Sequence, residues 1–268
     1  MKDIKEIALN LFSLDAEIYC KETPEHHACL FCNKCRDGNE DQLVTDFSTI
    51  SQYIDHTLLR ANATSSDIYQ LCDEADSYRF KNVCVNPTFI NLLRNYTFPP
   101  PICTVIGFPF GANTTETKTF ETKNAIVLGV EEIDMVMNIG ALKEDSHQYI
   151  LDEICQIANL CNDNNVLLKV ILETCLLTED EIIKACLIAK KAGACFVKTS
   201  TGFSVKGAEV DTVKLMREVV GAKMGVKASG GITTKDEALA MLVAGANRLG
   251  TSNSVEIMST CSGDPEEV

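Results

Sequence analysis

The stretch "GACFVKTSTGF", residues 193–203, places a lysine inside an apolar run that has the character of a buried strand. Small hydroxylated residues and a glycine follow Lys198 directly. A lysine in a protein core must lose its charge or find partners, because removing an ammonium group from water is costly and lowers its pKa. Lys198 therefore needs a chemical or a structural explanation.

Two other apolar segments repeat this arrangement. Lys169 lies among aliphatic residues in "VLLKVILE", and Lys227 lies shortly before a double glycine in "MGVKASGGI". If Lys198 and Lys227 point inward from neighbouring strands, repulsion and burial should lower the pKa of at least one amine and leave it neutral near pH 7. Such an amine can attack a carbonyl group. The alternatives are an ion pair with an inward carboxylate and a side chain that extends to the rim.

The sequence around these segments alternates between short apolar, β-branched runs and amphipathic helical stretches from Tyr53 onward. This alternation is typical of βα units and a parallel sheet. The predicted strands are "YIDHTLL", "FKNVCVN", "ICTVIGF", "EEIDMVM", "VLLKVIL", "CFVKTS", "GVKAS" and "NRLGTS". The predicted helices are 65–78, 87–95, 114–128, 147–162, 178–192, 208–220, 235–244 and a short one after Ser252. Eight units in about 215 residues favour an α/β fold of the (β/α)8 TIM barrel type over an open doubly wound sheet.

A short internal sequence repeat supports the barrel. Three glycines that can end a helix each lie five residues before a polar or small residue near a strand end. These pairs are Gly129 with Asp134, Gly193 with Lys198, and Gly245 with Gly250. Because the carboxyl ends of barrel strands face the active-site mouth, we expect these residues to lie near that mouth. Asp134 could hold Lys227 or Lys169 in place, or move protons through a water molecule; an ion pair is its structural alternative.

The loops after the last three predicted strands consist of small residues: "STGF", "SGG" and "GTSNS". Glycines allow close approach to the backbone, and N–H groups at a helix start favour an anion. Barrels often bind phosphate in the loops after strands seven and eight. The loops therefore predict a phosphate site, with simple tight turns as the alternative.

Composition excludes several classes of protein. The chain has 268 residues, which is enough for one barrel with an extension or for two small domains. Its net charge of −14 argues against a nucleic-acid partner, which requires clustered Lys and Arg. No apolar run approaches the roughly 20 residues of a membrane span, and the acidic, amphipathic start is unlike a secretory signal. We expect a cytoplasmic protein without a membrane partner.

Residues 1–46 differ from the rest and are interpreted as an N-terminal extension of a barrel at 47–268. They carry ten acidic and five basic residues, with a helical pattern near 4–19. The potential metal ligands in "HHACLFCNKC" are His26, His27, Cys29, Cys32 and Cys35. Their spacing could ligate zinc or a cluster, but no second ligand pair follows. We therefore interpret the cluster as chance clustering or a redox-sensitive surface segment, with a metal site as the alternative. Nine further cysteines are interpreted as reduced thiols.

Eight motifs follow one another along the chain: "YIDHTLL", "VCVNP", "TVIGFPFG", "EEIDMVMN", "LKVILE", "FVKTSTGF", "VKASGGI" and "RLGTS". Motifs like these occur in the same order in the deoxyribose-phosphate aldolase family. The chain resembles this family over roughly residues 50–258. The resemblance implies a class I aldolase that cleaves 2-deoxyribose 5-phosphate to acetaldehyde and glyceraldehyde 3-phosphate, or joins them, without a metal or another cofactor. The implied partner is a small phosphosugar, and we expect a homodimer or a larger homo-oligomer.

The resemblance also implies roles for individual residues. Lys198 matches the Schiff-base lysine, Lys227 the second lysine that tunes it, and Asp134 the carboxylate of a proton relay. The implied substrate-binding residues are Asp55, Cys84, Lys169, Thr199, Gly202, Gly230, Gly231, Gly250, Ser252 and Asn253. Asn253 stands where many relatives have a second serine, and the tail "CSGDPEEV" lacks the C-terminal tyrosine of some members.

Two other functions fit parts of the pattern. One is a different lysine-imine or phosphosugar barrel that acts on a longer donor. The other is a regulatory or binding protein whose barrel holds a phosphosugar while the Cys/His segment supplies the response. The presence of Lys198, Lys227 and Asp134 together favours an enzyme.

Overall fold

The computed structural model describes residues 4–12, 47–97 and 99–259 and confirms the predicted barrel. Each strand pairs in parallel with the next along the chain, and the last strand pairs with the first. The strands are β1 Ile54–Leu58, β2 Asn82–Val85, β3 Ile102–Ile106, β4 Glu132–Val136, β5 Leu167–Ile171, β6 Phe196–Lys198, β7 Gly225–Ser229 and β8 Arg248–Thr251. The predicted Cys/His cluster at 26–35 and the tail from Cys261 lie outside the described residues.

Helices surround the barrel and follow the predicted order. They are α1 Ile4–Phe12, α2 Ser65–Tyr78, α3 Ile90–Arg94, α4 Thr115–Val127, α5 Ile139–Lys143, α6 His147–Asp163, α7 Glu179–Lys191, α8 Val210–Val220, α9 Lys235–Val243 and α10 Ser254–Ser259. Short 3-10 turns occur at Phe47–Tyr53, Pro87–Phe89 and Thr174–Leu176. Among the described helices, none combines the length and the apolar character that crossing a membrane requires.

Local sequence explains where several helices begin and end. Thr64, Thr178 and Thr234 each cap a helix together with an acidic residue three positions later, an arrangement that contributes about 1 kcal/mol per helix. The glycines at 129, 193 and 245 have φ values of +84°, +85° and +109°, which confirms that they end helices in the left-handed region.

Two elements differ from the prediction. Strand β6 contains only Phe196–Lys198, because the hydroxyl of Thr199 bonds to the end of β7 and the chain then turns into a loop. The short helix α5 has no counterpart in the prediction, since five residues are too few for a helical period to be read. Its one sequence signal is Asn138, whose side chain accepts the N–H of Ala141 at 3.0 Å.

The segment before the barrel contributes a helix that packs on its surface. Helix α1 lies against α7, where Ala8 is buried and Ile4, Ile7 and Leu11 are partly buried against the core. The predicted helical pattern near 4–19 is therefore a helix at least over Ile4–Phe12. Its apolar face has a partner on the barrel.

Alternate residues of each strand point either outward, into the layer between the sheet and the helices, or inward, to the centre of the barrel. Outward residues such as Val83, Val197, Val226 and Leu249 are fully buried between the sheet and the helices. Inward residues include the lysines, carboxylates and an arginine at the centre of the barrel. The apolar layer stabilises the fold through burial, and the inward layer provides the chemistry.

One buried ion pair lies outside this centre and supplies a test of the packing between α4 and α6. Lys118 Nζ lies 2.8 Å from Glu153 Oε2, and both side chains are fully buried. Lys118→Met should lower the free energy of unfolding by about 3–5 kcal/mol, because it leaves a buried carboxylate without its partner. Denaturant titration measures the change.

The double variant Lys118→Met/Glu153→Leu should recover most of that loss, since no unpaired charge remains. The control is Lys214→Met, which removes a lysine from an exposed pair with Asp211 at 3.5 Å and should cost less than about 1 kcal/mol. Equal losses for Lys118→Met and Lys214→Met would contradict an energetic role for the buried pair.

Candidate active site

A cluster of seven charged side chains fills the centre of the barrel. Its cations are Lys169, Lys198, Lys227 and Arg248, and its anions are Asp55, Glu132 and Asp134; all seven are buried. When every group is ionised, four positive charges face three negative charges. Burial disfavours a net charge, so the surplus favours loss of one proton from an amine.

Asp134 on β4 is the centre of this cluster. Its Oδ2 accepts hydrogen bonds from Lys198 and Lys227, each at 2.8 Å, and its Oδ1 accepts one from Lys169 at 2.8 Å. Burial alone would raise the pKa of Asp134, but the three lysines outweigh burial and hold the pKa well below its usual range. Asp134 is therefore ionised in the resting site, and the three lysines share its carboxylate.

Lys227 and Lys169 are held as cations by carboxylates. Lys227 Nζ donates to Asp55 as well as to Asp134, and Lys169 Nζ lies 2.5 Å from Glu132. Burial would lower the pKa of each lysine, but the carboxylates reverse this effect and raise both pKa values. Of the two lysines for which burial and repulsion suggested a lowered pKa, Lys227 is therefore not the one. The alternative expectation, that Asp134 holds Lys227 or Lys169 in an ion pair, is met by both residues.

Two members of the cluster, Glu132 and Arg248, were absent from the predicted site residues. Arg248 Nη1 donates to Asp55 Oδ1 at 2.7 Å and to Glu132 Oε2 at 2.9 Å. Burial would raise the pKa of Asp55, but Lys227 and Arg248 outweigh burial and lower the pKa to about 2. The alternation of strand side chains could have identified Glu132 and Arg248, because residues two positions apart point to the same side of a strand. Glu132 precedes Asp134 by two positions, and Arg248 precedes Gly250 by two.

A cavity of about 300 Å³ opens at the carboxyl ends of the strands. Seven of the predicted site residues line it: Lys198, Gly202, Gly230, Gly231, Gly250, Ser252 and Asn253. Of the three strand lysines, Lys198 alone reaches this space, although it is only 2% exposed. The register places Lys198 directly beside Lys227 on β7, as predicted.

The other predicted residues do not line the cavity. Asp134, Lys227, Asp55 and Lys169 lie within the buried cluster. The Thr199 hydroxyl accepts the N–H of Ser229 at 3.1 Å and donates to its carbonyl, so Thr199 joins β6 to β7.

Cys84 also lies outside the cavity wall. It is fully buried beside Cys103 on β3, and their hydrogen bond is the main cause that lowers the pKa of Cys84. Contact between Cys84 and a substrate stays a prediction. These two thiols and Asp134 are close enough together to hold a metal ion, but the three ammonium groups on Asp134 disfavour a further cation there.

Two glycines at the mouth are required by close approaches. A Cβ atom at Gly207 would lie 1.9 Å from the carbonyl oxygen of Gly230, so only glycine lets the loop after β6 pack on the loop after β7. At Gly250 a Cβ atom would lie 2.9 Å from Lys227 Cε, so this glycine leaves room for the lysine. The sequence prediction included Gly250 but missed Gly207.

Glu173, at the end of β5, is a further residue that the prediction missed. Its carboxylate is buried and accepts the N–H of Thr201 at 3.3 Å together with the Thr201 hydroxyl. Among the described residues, no cation pairs with it. Its φ of 56° lies in the left-handed region, which is uncommon for a residue with a side chain. Glu173 therefore positions the segment that leads to Gly202 at the cavity wall.

Known proteins resemble the chain in sequence over most of its length. The family model described as DeoC/LacD family aldolase matches residues 49–255. Deoxyribose-phosphate aldolase 1 of Vibrio vulnificus is 56% identical over 212 residues, which are 78% of this chain and 96% of that protein. The deoxyribose-phosphate aldolase of Thermococcus kodakarensis is 50% identical over 222 residues, 81% of this chain and 98% of that protein.

Solved structures agree in fold. A provisional deoxyribose-phosphate aldolase from Coccidioides immitis has a TM-score of 0.79 and 34% identity, and the match covers 97% of this chain and 98% of that one. A deoxyribose phosphate aldolase from Aeropyrum pernix, described as a tetramer of unique structure, has a TM-score of 0.74 and 31% identity over 80% of this chain and 91% of its own. With the barrel, the lysine cluster and these relatives in agreement, the chain belongs to the DeoC/LacD family of aldolases.

Proposed function

We propose that the protein is a class I aldolase that reversibly cleaves 2-deoxyribose 5-phosphate to acetaldehyde and glyceraldehyde 3-phosphate, as in deoxyribonucleotide catabolism, with Lys198 as the Schiff-base residue. One observation carries the assignment of the lysine. Lys198 lines the cavity, while its Nζ shares the Asp134 carboxylate with a second, fully buried lysine, Lys227. The substrate is supported by the relatives called deoxyribose-phosphate aldolase, which share about half of their residues with this chain over most of its length.

The reaction begins at the carbonyl group of the open-chain sugar. The free amine of Lys198 adds to C1, and loss of water gives a protonated imine. The C3 hydroxyl then loses its proton, C3 becomes the aldehyde carbon of glyceraldehyde 3-phosphate, and the electrons of the C2–C3 bond move into the imine. The resulting two-carbon enamine takes a proton at C2, and hydrolysis of the imine releases acetaldehyde and restores Lys198.

Asp134 and Lys227 stabilise the charges that change during the reaction. The Asp134 carboxylate, 2.8 Å from Lys198 Nζ, stabilises the positive imine. Asp134 also connects Lys198 to Lys227, so the pair can move protons to and from the reacting carbons through a water molecule. The carboxylates raise the pKa of Lys227, so this residue is an ammonium group in the resting site and places a positive charge beside the reacting nitrogen of Lys198.

The phosphate end of the substrate occupies the part of the cavity that small residues line. Gly230 and Gly231 follow β7, and Ser252 and Asn253 follow β8. Backbone N–H groups and short polar side chains can donate to phosphate oxygens there. The small volume of about 300 Å³ agrees with a five-carbon phosphosugar.

Assembly and location are part of the proposal. Phe120 and Val127 are 72% and 84% exposed and lie seven residues apart on α4, so they share one helix face that a second copy of the chain could cover. None of the eight cysteines that the structure describes forms a disulfide, which supports a reducing compartment such as the cytoplasm. Residues 47–268 are proposed as the catalytic unit and residues 1–46 as an appendage.

Trapping with borohydride tests the Schiff base. Reduction in the presence of 2-deoxyribose 5-phosphate should add one sugar-derived or two-carbon fragment to the peptide that contains Lys198, because the imine becomes a stable amine. Peptide mass spectrometry locates the fragment. Modification of Lys227 or Lys169 with Lys198 unmodified would overturn the assignment, and Lys198→Arg should abolish both trapping and cleavage.

Lys227→Leu should change the pH dependence of cleavage. Without the Lys227 cation, Asp134 favours the charged form of Lys198, so activity at pH 7 should fall by about tenfold or more. Activity should recover in part as the pH rises, but not fully, because leucine cannot relay a proton. The pH–rate profiles of the wild type and the folded variant give the comparison. A profile with an unchanged acidic limb would leave Lys227 as a structural ion-pair partner.

Gly207→Ala should weaken substrate binding, because the added methyl group collides with the Gly230 carbonyl and moves the two loops apart. We expect the KM for 2-deoxyribose 5-phosphate to rise by about tenfold, which corresponds to about 1.4 kcal/mol of lost binding. Gly140→Ala is the control, since a Cβ atom there meets only one side-chain atom, at 3.5 Å. Equal KM values for the two variants would argue against a role for this loop contact.

A further inference from the structure

We propose that Arg60 binds the phosphate group of the substrate and sets the preference of the enzyme for a phosphorylated sugar. This inference rests on the proposed aldolase function, and it adds a residue that neither the sequence motifs nor the cavity glycines supply. Among residues 4–12, 47–97 and 99–259, the charged side chains that line this cavity are Lys198 and Arg60, and both are cations. No carboxylate of these residues lines it, although the chain carries a net charge of −14.

The two cations occupy different parts of the mouth. Arg60 follows β1, which pairs with β8 through Asp55 and Gly250. The loop that carries Arg60 therefore lies beside the loop of Ser252 and Asn253. Lys198 ends β6, three strands away around the barrel. A substrate bound through C1 to Lys198 can then direct its other end toward Arg60.

The charge of the substrate favours a second cation in the cavity. Once Lys198 has formed the imine, its charge lies at C1 and serves the bond that breaks. The phosphate at C5 carries up to two negative charges, and the other described residues of the wall offer neutral donors. A guanidinium group can donate two parallel hydrogen bonds to phosphate oxygens, which makes arginine well suited to this position.

The side chain of Arg60 is held in place and is available. Arg60 Nη2 lies 2.7 Å from Asp67 Oδ1, and the Arg60 side chain is 45% exposed. Asp67 is fixed in turn by the backbone N–H and the hydroxyl of Thr64, each at 2.7 Å. Arg60 has no second acidic partner in the described part of the chain. Since an exposed ion pair is weak, Asp67 orients the guanidinium group without preventing it from binding an anion.

The test compares two substrates that differ only in the phosphate group. In Arg60→Gln, kcat/KM for 2-deoxyribose 5-phosphate should fall about tenfold to a hundredfold, mainly through KM, because a charge-assisted hydrogen bond is lost. For unphosphorylated 2-deoxyribose, kcat/KM should change less than about twofold. Arg60→Lys should retain part of the preference, since it keeps the charge and loses the planar pair of donors.

Lys214→Gln is the matched control, because it removes one positive charge from an exposed pair with aspartate outside the cavity. It should leave both substrates unaffected. Equal losses on both substrates in Arg60→Gln would show that Arg60 only braces the loop, and no loss on either would exclude it from binding. Either of these two results would overturn the inference.

A binding measurement separates this inference from the proposed function. Inorganic phosphate should raise the unfolding midpoint of the wild type more than that of Arg60→Gln, whether or not the protein cleaves the sugar. Absence of cleavage and of borohydride trapping in the wild type would defeat the proposed function. Equal stabilisation of wild type and Arg60→Gln by phosphate would defeat the role of Arg60.

Discussion

The shared carboxylate of Asp134 is the interaction on which the site depends. Three lysine side chains converge on its two oxygens in the interior of the barrel, where a lone ammonium group would be too costly to bury. The acid makes their burial possible and the lysines keep the acid ionised. Because Asp55, Glu132 and Arg248 complete the cluster, five of the seven members have ion-pair partners beyond Asp134. Lys198 has Asp134 as its one acidic partner among the described residues, and it is the lysine at the cavity.

The fold was predictable because its signal is repeated. Eight apolar runs with helical segments between them leave few alternatives, and the helix-ending glycines at 129, 193 and 245 mark the same joint in three units. The family motifs identified the lysines and the glycine loops of the cavity. Single residues without a repeated pattern were harder to find. Glu173 is one acid at a strand end, and its role depends on Thr201, 28 positions away. Arg60 looks like any surface arginine until the neighbouring β8 loop is in place.

The sequence left open whether repulsion or ion pairing controls the buried lysines. Two lysines on adjacent strands suggested repulsion, which alone lowers a pKa, and an inward carboxylate was the alternative. The pKa values of Lys169 and Lys227 are raised because carboxylates from β1 and β4 reach them across the barrel. Sequence shows which groups are present on each strand, whereas the sign of a pKa shift depends on distances between strands that only the closed barrel defines.

The contact between Gly250 and Lys227 links two positions that are far apart in the chain. The lysine occupies the volume that any side chain at position 250 would need. A larger residue at 250 therefore requires the end of Lys227 to move or position 227 to carry a shorter residue, and a shorter residue there removes the cation beside Lys198. Changes at these two positions are therefore coupled while the chemistry is kept. A backbone hydrogen atom on β8 thus limits which sequences can carry this reaction.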